Sequence, residues 1–349
     1  MKQLHFIVGI GRSGTTLLTN ILNKHQALHC LPEANFLVFF LHHFRQQKGF
    51  SEADIELIFR QIHIYAYSHP FVGWEFDEDR AKAEIIALCK STPTLSYLDL
   101  CKHIYERFKV NGEDKSQASV LIDKNPGYTI YLDKIAALSP DSKFIWLIRD
   151  YRANVLSRKQ SIYLKPPHVA YNAMRWKRFN QIAAAFHKNN PGKVLPVRYE
   201  DLVYDSDRTV ARIYDFLGVA PAAISNTEMA VPGNISGFLT QKQHEQRMIK
   251  KYSDLSKPIN ADRVESWKKE LSPTEIQICE RICGNFARQF GYEKYDVQTN
   301  ETASLMSHTP EVVRAMADIE KDLLIYYLPI HYKMKRFIRR QKLLGFIKD

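Results

Sequence analysis

Between the apolar runs Phe6-Ile7-Val8 and Leu17-Leu18 the chain carries Gly9-Ile10-Gly11-Arg12-Ser13-Gly14-Thr15-Thr16. Closely spaced glycines let backbone N–H groups converge on one point, and a helix N-terminus just beyond them adds positive potential. Such a loop holds a phosphate. A second set of residues lies downstream. Arg149-Asp150-Tyr151-Arg152 follows the strand-like segment 143–148, and Ser157 stands eight residues after Arg149. A planar, permanently charged guanidinium with a hydroxyl suits a second phosphate. An Arg–Asp salt bridge at a strand end and a Walker B aspartate at Asp150 are the other readings of that segment.

The glycine loop itself admits three further readings. Gly9, Gly11 and Gly14 satisfy the dinucleotide fingerprint, which also needs an acid about twenty positions on, at the end of a second strand. Glu33 falls near that place, but the surrounding residues 30–35 read as a loop around Pro32. Gly9 and Gly14 are also spaced as in a Walker A loop, yet Thr15 replaces the lysine that a kinase or ATPase needs on the β/γ-phosphates. A turn that binds nothing is disfavoured by the polarity of Arg12–Thr16.

These residues must be positioned by strands and helices in alternation. Strands are expected at 4–8, 119–122, 143–148 and 193–198. Leu17, Leu18, Ile21 and Leu22, then Phe179, Ile182, Ala183 and Phe186, then Val210, Ile213, Tyr214 and Leu217 recur at helical spacing. Gly218 marks a helix end, and Ser272, Pro273 and Glu275 begin another helix with a capping box that Gly291 closes. The expected fold is α/β, a P-loop-like parallel sheet flanked by helices. Residues 36–115 form a helical insertion rich in aromatic and His residues, and 297–349 a helical basic extension beyond a domain spanning 1–296.

The chain has 349 residues, a formal charge of +11, five cysteines and thirteen histidines. The charge calls for an anionic partner, which net charge alone cannot choose. Basic residues concentrate near the C-terminus rather than in aromatic-basic motifs across the core, so nucleic acid is not expected. Cys279 and Cys283 share a helix face and read as core. No His pair has metal-ligand spacing with a carboxylate. The first residues are too polar for a signal peptide and no run reaches membrane-span length, which gives the expectation of a cytoplasmic protein.

Gly11-Arg12-Ser13-Gly14-Thr15-Thr16-Leu17-Leu18 resembles the 5′-phosphosulfate loop of sulfotransferases that use 3′-phosphoadenosine 5′-phosphosulfate (PAPS), with Arg12 as in the Golgi-type and bacterial branch. The strand followed by Arg149, Asp150, Arg152 and Ser157 is similar to that family's 3′-phosphate site. The tyrosylprotein sulfotransferases are the nearest in motif. Glu33, twenty-one after Arg12, matches their glutamate base, and Asp123-Lys124-Asn125-Pro126 resembles their Asn-Lys-Asp-Pro segment. Tyr199 matches a tyrosine near the adenine nucleotide, and Lys257, ahead of Trp267, a late lysine closing over the donor. The ordered motifs cover most of residues 4–295.

This resemblance implies an enzyme that moves the sulfuryl group of PAPS to an acceptor hydroxyl, releases PAP and requires no metal. Arg12, Ser13, Gly14, Thr15 and Thr16 would hold the 5′-phosphate, and Arg149 and Ser157 the 3′-phosphate. Lys124 with Arg12 would stabilise charge on the bridging oxygen, and Glu33 would act as general base. Two departures stand out. A family arginine twelve after Arg149 is Ser161 here, with Arg158 or Lys159 as stand-ins, and the family's transition-state serine has no clear counterpart in 233–253.

For the acceptor, a small or lipid-like alcohol is favoured over tyrosine or a sugar. The aromatic residues Phe36, Phe39, Phe40, Phe44, Phe59, Tyr65, Tyr67, Phe71 and Trp74 are either an apolar pocket or ordinary core. In the last segment Met334, Phe337, Ile338, Leu344 and Ile347 can share a helix face beside Lys335, Arg336, Arg339, Arg340 and Lys342. That pattern fits either peripheral contact with an anionic membrane, at its inner face, or a docked helix with a solvated basic side.

Overall fold

The computed structural model describes residues 2–69, 74–110, 113–161, 167–222, 261–297 and 306–343. Its strands are β1 (Gln3–Gly9), β2 (Leu28–Leu31), β3 (Trp74–Glu75), β4 (Lys109–Val110), β5 (Val120–Lys124), β6 (Phe144–Ile148) and β7 (Val194–Arg198). β3 and β4 make a small antiparallel ribbon, and the other five form one parallel sheet in the order β2-β5-β1-β6-β7. The α/β expectation is met. In a dinucleotide fold the second strand lies beside the first; here β5 separates them, which argues against the dehydrogenase reading.

Alternation along the strands divides the core in two. Ile7, Ile122, Ile145 and Leu147 face helices Thr15–Asn23 and Ser206–Leu217, where they meet Leu18, Ile21, Val210 and Ile213. Phe6, Val8, Leu121, Phe144 and Trp146 face the other way, onto helices Phe36–Phe44, Val169–Asn189 and Pro273–Ala287. The capping box at Ser272 and the left-handed Gly218 and Gly291 occur as expected. All five cysteines are buried.

One strand corrects the sequence reading. Residues 28–31 are strand, so Cys30 and Leu31, read as part of a loop, belong to it, and Pro32 follows its end. Four residues at a sheet edge are too few to show a period, and their pairing to β5 comes from a distant segment. The Trp74 indole N–H donates to the Cys30 carbonyl (2.9 Å) and so covers that edge.

Between β2 and β5 the described chain is mainly helical: Phe36–Phe44, Glu52–Ser68, Glu78–Ser91 and Tyr97–Tyr105. Phe36, Phe40, Phe44 and Phe59 are buried in the main core, and Tyr65 is buried as well; Phe39 is partly exposed, and Phe71 and the Tyr67 side chain lie outside the described residues.

The C-terminal helices Thr309–Tyr326 and Ile330–Leu343 pack on the domain. Ile319, Tyr326 and Met334 join the main core, the Tyr171 hydroxyl donates to Asp318 (2.8 Å), and buried Lys333 donates to the Phe39 carbonyl. Phe337 lies against Phe39 and Tyr65. The apolar side that a bilayer helix would need is therefore turned inward over Met334, Phe337 and Ile338, while Lys335, Arg336, Arg339, Arg340 and Lys342 are exposed. Leu344 and Ile347 lie outside the described residues.

Candidate active site

The site stands at the carboxyl edge of β1, β5 and β6, where open parallel sheets collect ligands. β1 ends in Gly9, whose N–H donates to the Thr129 hydroxyl (2.8 Å), and that hydroxyl donates to the Gly9 carbonyl (2.6 Å). A Cβ at Gly9 would meet the Leu147 carbonyl oxygen at 2.4 Å, so glycine is required for the loop to leave the sheet. Arg12 has φ 76°, the one positive φ at a non-glycine among the described residues. Backbone strain of that kind persists where surrounding contacts impose it.

Helix Thr15–Asn23 follows with Gly14 at its N-cap and no side chain capping it, so its first N–H groups face the loop. The loop is braced from the helix Tyr151–Lys159: Asn154 Nδ2 donates to the Gly11 carbonyl (3.2 Å) and to Ser13 Oγ (3.1 Å). Arg12 Nε donates to Ser157 Oγ (3.1 Å), which joins the two sequence-identified anion sites directly. Ser13 and Thr15 are buried and Thr16 half-buried.

Arg149 spans the site. Its Nη1 donates to the Arg12 carbonyl (3.2 Å) and Nη2 to the Arg263 carbonyl (2.8 Å), its guanidinium lies 4.5 Å from the Tyr199 ring centre, and buried Nε has no partner among the described residues. Tyr199 in turn packs on Gly14, where a Cβ would come within 2.3 Å of the ring. The Arg–Asp salt bridge contemplated from the sequence is made by Arg152, at 2.6 Å from Asp150. Arg152 also bonds Glu280 and lies 4.0 Å from the Trp267 ring centre. With Asp150 committed to Arg152 and to capping its helix, a Walker B role has no support.

Lys124 Nζ lies 3.2 Å from Glu33 Oε2, across ninety-one residues of sequence. β5 delivers the lysine, and the residue pair after β2 delivers the acid. Tyr128 donates to the Ala34 carbonyl (3.4 Å), Gln61 Nε2 to Asn35 Oδ1 (2.6 Å) and the Tyr97 hydroxyl to the Leu37 carbonyl (2.8 Å). The helical insertion thus holds the segment that carries Glu33.

The structure also separates the two stand-ins for the absent arginine at position 161. Lys159 is bridged to Glu275 at 2.5 Å. Arg158 is buried and its Nε donates to Asn172 (2.9 Å), with a terminal nitrogen 3.8 Å from where a Gly11 Cβ would stand. It forms no ion pair with a carboxylate among the described residues. Burial first, then Arg175 and Arg12, push its pKa down to about 9. A guanidinium buried beside other cations favours an anion next to it.

Sequence reasoning missed Asn154, although it lies one helical turn before Arg158 on the same face. It also missed Thr129, Tyr105 and the buried carboxyl of Asp123, whose contacts are long-range. Lys257 and the stretch 233–253 lie outside the described residues.

A model described as the sulfotransferase family matches residues 5–222. Among curated proteins the chain is 28% identical over 223 residues to a putative protein-tyrosine sulfotransferase of Caenorhabditis briggsae, covering 62% of this chain and 65% of that protein. It is 26% identical over 314 residues to nodulation protein NoeE of Sinorhizobium fredii, covering 83% and 66%. It is 24% identical over 305 residues to protein-tyrosine sulfotransferase 2 of Gallus gallus, covering 84% and 70%. The chain thus spans just under two thirds of the length of the first two. Among solved structures the sulfotransferase domain from the curacin biosynthetic pathway aligns with TM-score 0.53 and 22% identity, over 84% of this chain and 99% of that one. These matches bear out the resemblance in family and fold.

Proposed function

The chain belongs to the sulfotransferase family, and we propose that it transfers the sulfuryl group of PAPS to an acceptor hydroxyl. The observation that carries this reading is the juxtaposition of two anion-binding elements, the glycine loop and the Arg149–Ser157–Arg158 set, with the Glu33–Lys124 pair at the same sheet edge. Two phosphate sites suit a 3′,5′-bisphosphorylated nucleotide. A loop with Thr15 in place of lysine suits a triphosphate poorly, so the kinase alternative is not favoured.

Sulfuryl transfer is an in-line displacement in which charge grows on the leaving phosphate oxygen, so positioning and charge stabilisation carry catalysis. In this reading the N–H groups of 13–16 hold the 5′-phosphate. Lys124 stands by the bridging oxygen, and Glu33 accepts the hydroxyl proton. The S–O bond to the acceptor forms as the S–O bond to PAP breaks. The described Arg12 reaches Ser157, so Arg12 links the two phosphate sites, and Arg158 supplies the cation absent at position 161. Lys257 keeps its proposed place over the donor.

For the acceptor we favour a small or lipid-like alcohol, which an enzyme drawn to an anionic lipid surface by the exposed basic face of its last helix would have within reach. Incubation with sulfur-labelled PAPS and fractionated cell extract tests this. Label is expected in the organic-extractable fraction; label confined to protein tyrosine or to polysaccharide would overturn the acceptor assignment.

The exposed basic face of the last helix would attract anionic headgroups. With its apolar side docked, that contact is electrostatic, and it would place the enzyme peripherally at the cytoplasmic face. Sedimentation with anionic vesicles is expected at low salt and lost at high salt, with none on neutral vesicles. No pelleting with anionic vesicles at low salt would contradict this.

A further inference from the structure

We propose that Asp123 is held as a neutral carboxylic acid and acts as a positioning residue for the Lys124–Glu33 pair. The proposal rests on the reading of that pair as the reacting groups.

Asp123 and Lys124 are adjacent at the end of β5, so their side chains leave opposite faces of the sheet. Lys124 turns to Glu33. Asp123 turns into the layer built by the helical insertion and is fully buried. The Tyr105 hydroxyl donates to its Oδ2 at 2.5 Å, while Oδ1 has no hydrogen-bond partner among the described residues. The groups that face it are Tyr105 and Cys101 from helix Tyr97–Tyr105, Tyr128 from the turn Pro126–Tyr131, and, through space, Lys124 and Glu33.

A carboxylate wants several donors and a cation, and among the described residues this one has the Tyr105 hydroxyl in an apolar layer, with the Tyr128 hydroxyl beside it easing the charge only weakly. Its near cation among the described residues, Lys124, is already engaged by Glu33 at 3.2 Å. Burial accordingly raises its pKa to about 8, with Tyr105, Lys124 and Tyr128 opposing the rise and Glu33 adding to it.

The neutral acid matters for chemistry because of what its ionisation would do. A second negative charge beside Lys124 would compete with Glu33 and with the donor oxygen for one ammonium. The neutral form leaves Lys124 to the reaction. Tyr128 couples the same cluster to the acid's own segment through its bond to the Ala34 carbonyl. Asp123 and the two tyrosines thus fix both arms of the pair.

The sign follows directly. The acid's folded pKa lies above its unfolded value, so it is neutral at pH 7, and the proton leaves to solvent as pH rises through about 8. Turnover of the wild type is expected to decline there.

Asp123→Leu, Asp123→Asn and the wild type, all full-length, test this. The leucine variant leaves the Tyr105 hydroxyl without its acceptor, and turnover is expected to fall about tenfold or more. Asparagine, shaped like the neutral acid, is expected to restore most of that activity at pH 7 and to abolish the decline near pH 8. An asparagine variant as impaired as leucine, or one that keeps the decline, overturns the proposal. Infrared spectroscopy supplies a readout independent of turnover: a protonated-carboxyl band in the wild type at pH 6.5, absent from Asp123→Asn. Absence of that band overturns the neutral acid whatever PAPS does. A clear band with no transfer from PAPS would instead strike the reading of the site's reaction.

Discussion

Glu33→Gln is expected to lower turnover by about a hundredfold or more, the usual size of a general-base contribution, with fold and PAP affinity unchanged. Glutamine matches glutamate in shape and can still accept from Lys124, so the 3.2 Å contact survives in substance. What it cannot do is take the acceptor's proton. The segment around Glu33 is also held by Gln61, Tyr97 and Tyr128 through backbone and Asn35 contacts that the substitution leaves alone. Loss of activity would therefore report chemistry. A near-normal turnover number with an unaltered pH–rate profile would remove Glu33 from the mechanism.

The second large effect concerns the donor. Arg149→Ala and Arg158→Ala are each expected to weaken PAP binding about ten- to hundredfold, the range for a charge-assisted hydrogen bond. Arg149 acts on two counts. It carries charge into the site, and it ties the Arg12 carbonyl to that of Arg263, so alanine also loosens the loop. Arg158 contributes a buried charge without an acidic partner among the described residues. Lys159→Ala is expected to leave PAP affinity within about twofold, because its ammonium is spent on Glu275; any cost there should be the small one of a half-exposed ion pair. Calorimetric titration of the three variants decides between the stand-ins. Equal losses in Arg158→Ala and Lys159→Ala would undo the assignment, as would full affinity in Arg158→Ala.

The legible part of this protein was what its local chemistry dictates. β1, the glycine loop and the first helix are contiguous, and their glycines and apolar spacing state the structure directly. The capping box at Ser272 and the αL glycines at Gly218 and Gly291 are local devices too, and each was found where its residue types placed it. β2 was not legible, because a four-residue edge strand owes its existence to β5, some ninety residues later. For the same reason the sequence could name Arg158 and Lys159 as stand-ins without choosing. The choice depends on Glu275 and Asn172, which only folding brings near. Asp123 entered the sequence reading only as part of the Asp123-Lys124-Asn125-Pro126 segment, which says nothing of its surroundings. Its burial under Tyr105 is a tertiary fact. The tail combined a correct helix with two open readings of its apolar face, and contacts to Phe39 and Tyr65 show that face covered.

The most direct test of a PAPS-using site is a side-by-side calorimetric titration of the full chain with PAP and with ATP-Mg²⁺. Two phosphate sites at one sheet edge, without the lysine that a triphosphate needs, predict PAP binding at least about a hundredfold tighter, equivalent to roughly 2.7 kcal/mol. ATP-Mg²⁺ binding as tightly as PAP would contradict the account.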